Sequence, residues 1–297
     1  MYPISQKISQ KSPHFKIIER NNTSSCEILC IIPVSIVENY PILSYTAGVF
    51  VFKDKYILIT GAAKRIGKGL ALSLAKKGSN IILHYNKSEA ESIETEKELK
   101  EYGIDVVRIQ CDLSDPVRAE GLMDEIEKKI ARTDVLINSA SIFPGNTLMN
   151  TCLKDFDKNI NLNSLSPFFI SRAFYKKLEK QNKKGSIINI LDARMGGYTP
   201  LHFPYQISKR ILSDITRISA LEFSPLVRVN AIAPGNIVPP KGKGSGYIKK
   251  AIEAAPLKKH GSIKDITEGV FFLLGAEFIT GQTLYIDGGR HLCGSLF

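Results

Sequence analysis

The residues best suited to moving a proton are Tyr205 and Lys209, four positions apart in Tyr205-Gln206-Ile207-Ser208-Lys209. The segment continues helically through Ile211 and Leu212, so this spacing puts both side chains on one helix face. A free tyrosine, with a pKa of about 10, is a poor acid–base match at neutral pH. A neighbouring ammonium favours the phenolate, so Lys209 is expected to lower the Tyr205 pKa and let the hydroxyl exchange protons. Asp192 closes the apolar run Ile188-Asn189-Ile190-Leu191 upstream of the pair. An ionised carboxylate there accepts hydrogen bonds rather than donating them. Tyr-x-x-x-Lys alone is a common pattern, and its weight depends on what precedes it.

A nucleotide-binding signature precedes it. Thr60-Gly61-Ala62-Ala63-Lys64-Arg65-Ile66-Gly67 directly follows an apolar run and opens a helix. Gly61 permits a tight turn, Ala62 and Ala63 limit crowding, and Gly67 lets the helix pack close to the strand. Lys64, Arg65 and Ile66 complete the turn. The helix N-terminus offers amide donors and a positive dipole end to a pyrophosphate. The next apolar run ends in His84-Tyr85-Asn86-Lys87-Ser88. An NAD-binding chain normally carries Asp or Glu here for the ribose hydroxyls. Asn86, Lys87 and Ser88, with Lys64 and Arg65 nearby, supply donors and positive charge instead. That set suits a ribose 2′-phosphate, and so NADPH over NADH. Ser88 also stands where a helix N-cap is expected, and the two roles are compatible.

These groups need a scaffold that brings distant segments together. Apolar runs at 56–60, 80–85, 105–110, 135–138, 186–191, 228–233 and 283–286 read as buried parallel strands. Amphipathic segments at 67–77, 88–102, 116–130, 155–180 and 204–223 alternate with them. The expected fold is α/β: a Rossmann-type, doubly wound, parallel seven-stranded sheet in three α/β/α layers. Such sheets bind ligands beyond the carboxyl ends of their strands.

The 297 residues, 43% apolar and 23% charged, suit one globular domain with an appendage. The net charge of +11 raises the question of nucleic acid. However, Lys and Arg are scattered among acids, as at 94–100 and 176–184, and no basic run carries interleaved aromatics. No nucleic-acid partner is expected; the basic balance helps gather phosphorylated or carboxylated small molecules. Cys26, Cys30, Cys111, Cys152 and Cys293 form neither a disulfide framework nor a zinc site, so free thiols in a reducing cytosol and no metal are expected. The apolar stretches 28–37 and 42–52 are short and separated by Glu38, Asn39 and Pro41. A membrane span needs about twenty apolar residues, so a cytoplasmic chain is expected. Residues 1–52 read as a poorly ordered N-terminal extension. Three lysines and no acid in residues 1–18 faintly resemble an organelle presequence. A disordered tail, or sequence upstream of the true start, are the other readings.

Together these motifs make residues 53–297 resemble a short-chain dehydrogenase/reductase. The resemblance implies that Tyr205 transfers the proton while NADPH passes hydride, and that Lys209 holds the nicotinamide ribose. Asn163, within Asn161-Leu162-Asn163-Ser164, aligns with that family's fourth catalytic residue and implies a water-linked proton relay. Asp112-Leu113 near the adenine, Asn138 to Ser141 with Ala140, and Pro234-Gly235 match its other cofactor-binding segments. Two departures narrow the reading. Arg65 stands where the middle glycine of the turn is usual, and Asp192 where a catalytic serine normally ends the fifth strand.

Both departures occur together in pteridine reductases and the related dihydromonapterin/dihydrofolate reductases, whose turn also reads Thr-Gly-Ala-Ala-Lys-Arg. In that setting Asp192 suits a nitrogen-rich substrate and supports Tyr205 in protonating an imine nitrogen. Asn138-Ser139-Ala140-Ser141-Ile142-Phe143 resembles the segment whose phenylalanine stacks the pterin against the nicotinamide. Phe143 is therefore the stacking candidate, with Ser141 and Arg65 as polar contacts; Ser139 departs from the asparagine typical there. The implied activity is NADPH-dependent reduction of a dihydropterin or dihydrofolate. The alternatives are a carbonyl reductase for 3-oxoacyl thioesters or sugars, which calls for serine at 192, and a non-catalytic NADPH-binding protein, against which Tyr205 and Lys209 stand. The resemblance also implies a homotetramer through the helices at 155–180 and 204–223. The segment 239–255, with Gly242 and Gly244, is expected to form a mobile flap over the substrate.

Overall fold

Side chains alternate across each strand, and this alternation sets which helices pack on which face of the sheet. The computed structural model describes residues 51–239 and 252–293, Gly246 and Lys249, and two short strands, β1 (Phe15–Lys16) and β2 (Ile32–Pro33). The chain divides into two compact units, Met1–Val49 and Phe50–Phe297. In the first, β1 and β2 pair antiparallel with Phe15 opposite Pro33. The remaining residues of the expected extension, apart from Val51 and Phe52, lie outside the described residues. Phe52, placed in the extension by the sequence, packs its ring on Phe271 at 4.8 Å and accepts a hydrogen bond from Ser79 Oγ at 2.8 Å.

The second unit is a single seven-stranded parallel sheet in the order β5-β4-β3-β6-β7-β8-β9. Its strands are β3 (Tyr56–Ile59), β4 (Asn80–Tyr85), β5 (Val106–Gln110), β6 (Val135–Asn138), β7 (Gly185–Ile190), β8 (Val227–Pro234) and β9 (Thr283–Ile286). The helices around it are α1 (Arg65–Ala75), α2 (Glu89–Lys100), α3 (Pro116–Glu127), α4 (Leu153–Ile160), α5 (Ser166–Gln181), α6 (Phe203–Glu222) and α7 (Ile263–Gly275). Ile57, Ile59, Ile81 and Leu83 pack with Leu70 and Leu74 of α1 and Val270 of α7. Their neighbours Leu58, Ile82 and Leu136 pack with Leu122 of α3 and Phe174 of α5. Burying each such side chain stabilises the fold by about 1.5–3 kcal/mol, so both faces of the sheet must be covered. The result is the three-layer Rossmann arrangement.

The expected single helix at 155–180 is instead α4, a π-helical turn at Asn161–Leu165, and α5. Buried polar side chains on that turn bond across to α6: Asn163 Nδ2 donates to Ser208 Oγ at 3.1 Å, and Ser164 Oγ to the Ser208 carbonyl at 2.7 Å. The wider π turn is a local departure from the flanking α-helices. Helix α7, which did not feature among the expected segments, starts at a reciprocal cap between Ser262 and Asp265.

The strand order reverses between β3 and β6, so a crevice opens at their carboxyl ends. Thr60 Oγ1 stitches the two loops there, accepting from the amides of Ser139 at 2.9 Å and Ala140 at 3.0 Å. Among the described residues no helix is long and apolar enough to cross a membrane, and no cluster of His, Cys, Asp or Glu could hold a metal ion. Most of the expected flap (240–245, 247–248 and 250–251) lies outside the described residues.

Candidate active site

A cavity of about 510 Å³ runs along the carboxyl ends of the strands, from Asn86, Lys87 and Ser88 to Asp192, Tyr205 and Lys209. Its nucleotide end is shaped by the turn between β3 and α1. Gly61 adopts φ +67°, and a Cβ there would come 3.0 Å from the Ala140 Cα; at Gly67 one would come 2.2 Å from the Gly61 carbonyl oxygen. Both positions therefore need glycine. Helix α1 has no side-chain cap at Lys64, so its first amides, including those of the cavity-lining Ile66 and Gly67, keep their donors for an anion.

His84 fixes this turn from behind. The Gly61 amide donates to its Nδ1 at 3.0 Å, while its Nε2 meets the Cys111 carbonyl at 3.0 Å. That pairing requires the neutral tautomer protonated on Nε2. Burial pushes the His84 pKa down to about 4, consistent with an uncharged ring.

At the end of β4, Lys64 Nζ donates to Ser88 Oγ at 2.6 Å, and Ser88 does not cap α2. Asn86 Nδ2 donates to Asp112 Oδ1 at 2.9 Å. That oxygen also accepts from the Ser114 amide, which does most to hold the Asp112 carboxyl below its ordinary pKa. Tyr85, Lys87 and Leu113 line the same end, and Ala140, Pro234 and Gly235 line the cavity further along. With two lysines, a hydroxyl and an amide here and no acid at the end of β4, the donor set fits a phosphate-bearing dinucleotide.

At the other end, Tyr205 and Lys209 occupy the first turns of α6, which begins behind His202 at φ +62° with Pro204 in its first turn. Tyr205 Oη donates to Asp192 Oδ2 at 2.7 Å. Arg194 grips the same carboxylate, with its amide on Oδ1 at 2.7 Å and its Nη1 on Oδ2 at 3.2 Å. Lys209 Nζ donates to the Ile190 carbonyl at 2.7 Å and lies 5.8 Å from the Tyr205 ring centroid.

This geometry corrects the expected pKa of the pair. Burial, then the Asp192 charge and its hydrogen bond, push the Tyr205 pKa well above 10, with Arg194 pulling the other way. Lys209 does not reverse the shift; its ammonium donates to the Ile190 carbonyl. Burial lowers its own pKa to about 8, with Asp192 acting in the opposite direction. Tyr205 is thus held as a protonated donor.

Phe143 keeps 38% of its surface exposed and lines the cavity. The His202 ring stacks on it at 3.8 Å and 15°, Tyr205 meets it edge-on at 4.6 Å, and the Arg194 guanidinium lies over it at 4.8 Å. His202 Nδ1 donates to the Pro144 carbonyl at 2.7 Å, and burial is the main cause lowering its pKa. Ser141 lines the cavity too, its hydroxyl on Asn163 Oδ1 at 3.1 Å.

Three of the expected side chains make their contacts within the protein. Asn163 is fully buried; its side-chain amide bonds the Ile142 backbone and Ser208 and makes no direct hydrogen bond to Tyr205 or Lys209. Asn138 is buried between β6 and β7, where Nδ2 donates to Asn189 Oδ1 at 2.8 Å, and it does not line the cavity. Arg65 lines the cavity at φ +56°, but its guanidinium donates to the carbonyls of Val238 at 3.0 Å and Pro239 at 3.1 Å instead of standing free for a substrate. Sequence reading missed Arg194, His202 and His84. Arg194 follows Asp192 by two residues and His202 marks the start of α6, but neither belongs to a motif.

Residues 61–291 match the family profile described as enoyl-(acyl carrier protein) reductase. The 3-oxoacyl-(acyl-carrier-protein) reductase FabG of Staphylococcus epidermidis is 30% identical over 244 residues, 80% of this chain and 100% of that protein. Glucose 1-dehydrogenase 2 of Bacillus subtilis is 28% identical over 252 residues, 81% of this chain and 97% of that one. Among solved structures, FolM alternative dihydrofolate reductase 1 from Brucella canis, complexed with NADP, is similar with a TM-score of 0.75 at 28% identity, covering 82% of this chain and 96% of that chain. The chain belongs to the short-chain dehydrogenase/reductase family and is an oxidoreductase of the nicotinamide-dependent type.

Proposed function

We propose that the protein reduces a dihydropterin or dihydrofolate to its tetrahydro form with NADPH. The observation that carries this reading is the 2.7 Å hydrogen bond from Tyr205 to Asp192, the acid standing in the place of the family's serine. A carboxylate accepts from the N–H and amino groups of a pterin, whereas a serine hydroxyl polarises a carbonyl oxygen. Phe143, half-exposed and lining the cavity, stands beside it, and the likeness to FolM points the same way.

In this reading Lys64, Lys87 and Ser88 hold the ribose 2′-phosphate, the Gly61–Gly67 turn holds the diphosphate, and Lys209 holds the nicotinamide ribose. When bound, NADPH supplies the hydride that reaches the C=N carbon of the substrate ring. Tyr205 Oη gives its proton to the ring nitrogen, and Asp192 orients the substrate and the hydroxyl. Asn163 acts by fixing the Ser141–Ile142 backbone and α6. The working assembly is a homotetramer through α4–α5 and α6, with residues 53–297 forming the catalytic domain.

A carbonyl reductase acting on 3-oxoacyl thioesters is the second reading, favoured by the 30% identity to FabG. NADPH absorbance separates the two, followed with 7,8-dihydrobiopterin, dihydrofolate and acetoacetyl-CoA in parallel. Turnover of a dihydropterin and not of the thioester is expected. Thioester turnover with none of either dihydro compound refutes the pterin reading.

A further inference from the structure

Placing a carboxylate against the proton donor creates a difficulty that a serine does not. When the Tyr205 O–H bond breaks and the proton passes to the acceptor atom, two electrons arriving there as hydride from NADPH, the phenolate left behind faces Asp192 across 2.7 Å. Both groups are largely shielded from water, Tyr205 being 6% exposed and the Asp192 side chain 16%. Like charges that close oppose the step. Lys209, the cation the family motif provides, is committed to the Ile190 carbonyl and sits 5.8 Å from the tyrosine ring centroid.

Arg194 touches the atom that matters. Its Nη1 bonds Asp192 Oδ2, the same oxygen that receives the Tyr205 hydroxyl, while its amide holds Oδ1. Its guanidinium is also laid over Phe143 at 4.8 Å, so a planar, permanently charged group is fixed between the aromatic platform and the acid. Lysine would keep the charge at this position.

We propose that Arg194 is a positioning residue that aims the Asp192 carboxylate at Tyr205 and compensates the second negative charge formed when Tyr205 gives up its proton. This rests on the proposed role of Tyr205 as donor, but not on which substrate takes the proton. The role predicts dependence on Asp192: the arginine is needed because the acid is there.

A double-mutant cycle tests it, reading NADPH oxidation with 7,8-dihydrobiopterin. Arg194→Met is expected to lower kcat about 10- to 100-fold, the range of a charge-assisted hydrogen bond, while the KM for NADPH changes by less than about twofold. Arg194→Lys is expected to recover most of that loss. In an Asp192→Asn background the same Arg194→Met change is expected to cost less than about threefold. Equal losses in both backgrounds, a parallel rise in the KM for NADPH, or no recovery with lysine overturns the proposal. If wild type turns over no dihydropterin, the substrate reading alone fails. The cycle is then read with acetoacetyl-CoA, whose carbonyl oxygen takes the same proton, and the same outcomes decide.

Discussion

Asp192→Asn removes one negative charge from beside Tyr205 while leaving an oxygen within reach of its hydroxyl. At the 2.7 Å separation seen here, a phenolate and a carboxylate repel by about 6 kcal/mol at an effective dielectric constant of about 20. The Arg194 guanidinium, 3.2 Å from the same oxygen, offsets much of this. What the offset leaves acts on the Tyr205 pKa at about 1.4 kcal/mol per pH unit. The sign follows from both partners. Asp192 raises the pKa of Tyr205 and also raises that of Lys209, which burial has brought down to about 8. Without the carboxylate charge, both groups lose their protons at lower pH. Wild-type kcat is therefore expected to be flat below about pH 8 and to fall above it as Lys209 discharges. In Asp192→Asn the falling limb is expected to move to lower pH, on top of any loss of plateau rate. The assay is NADPH oxidation at saturating substrate across pH 6 to 10, a range set by about two units either side of that limb. A limb that stays in place, or moves to higher pH, refutes the assignment of Asp192 as the charge controlling this pair.

Two further expectations concern the nucleotide end. Lys64→Ala removes the donor held at 2.6 Å from Ser88 and is expected to raise the KM for NADPH about tenfold while that for NADH changes less than about twofold; equal rises count against a 2′-phosphate site. His84 is buried uncharged, its pKa lowered from 6.5 to about 4, so the stability it contributes is full above pH 6.5 and is lost as pH falls toward 4. The loss amounts to about 3 kcal/mol, and urea unfolding followed between those limits should show a shallower pH dependence in His84→Gln than in wild type. Identical slopes in the two proteins contradict the neutral clamp.

Local pattern made much of the fold legible. The seven apolar runs coincide with β3 to β9 to within a residue or so at each end, because a strand buried on both faces leaves few positions open to polar residues. The interruption of 155–180 by a π-helical turn was not legible, since it is set by bonds from Asn163 and Ser164 to Ser208 on another helix. At the site, the i, i+4 spacing of Tyr205 and Lys209 and the glycines at 61 and 67 needed no tertiary information. The same is not true of Asn138 and Asn163, whose side chains turn into the interior.

The Tyr205–Lys209 pair shows where the division falls. By itself the sequence determined which residues share a helix face, which turn can approach a diphosphate, and that an acid replaces the usual serine, because these depend on residue type and local periodicity. Tertiary structure alone decided that the ammonium bonds Ile190, that Asp192 takes the hydroxyl, and that Arg194 and His202 close on Phe143. A pKa is set by burial and by the charges a few ångströms away. Those neighbours come from β7, the turn after it and the start of α6, which meet only once both faces of the sheet are packed.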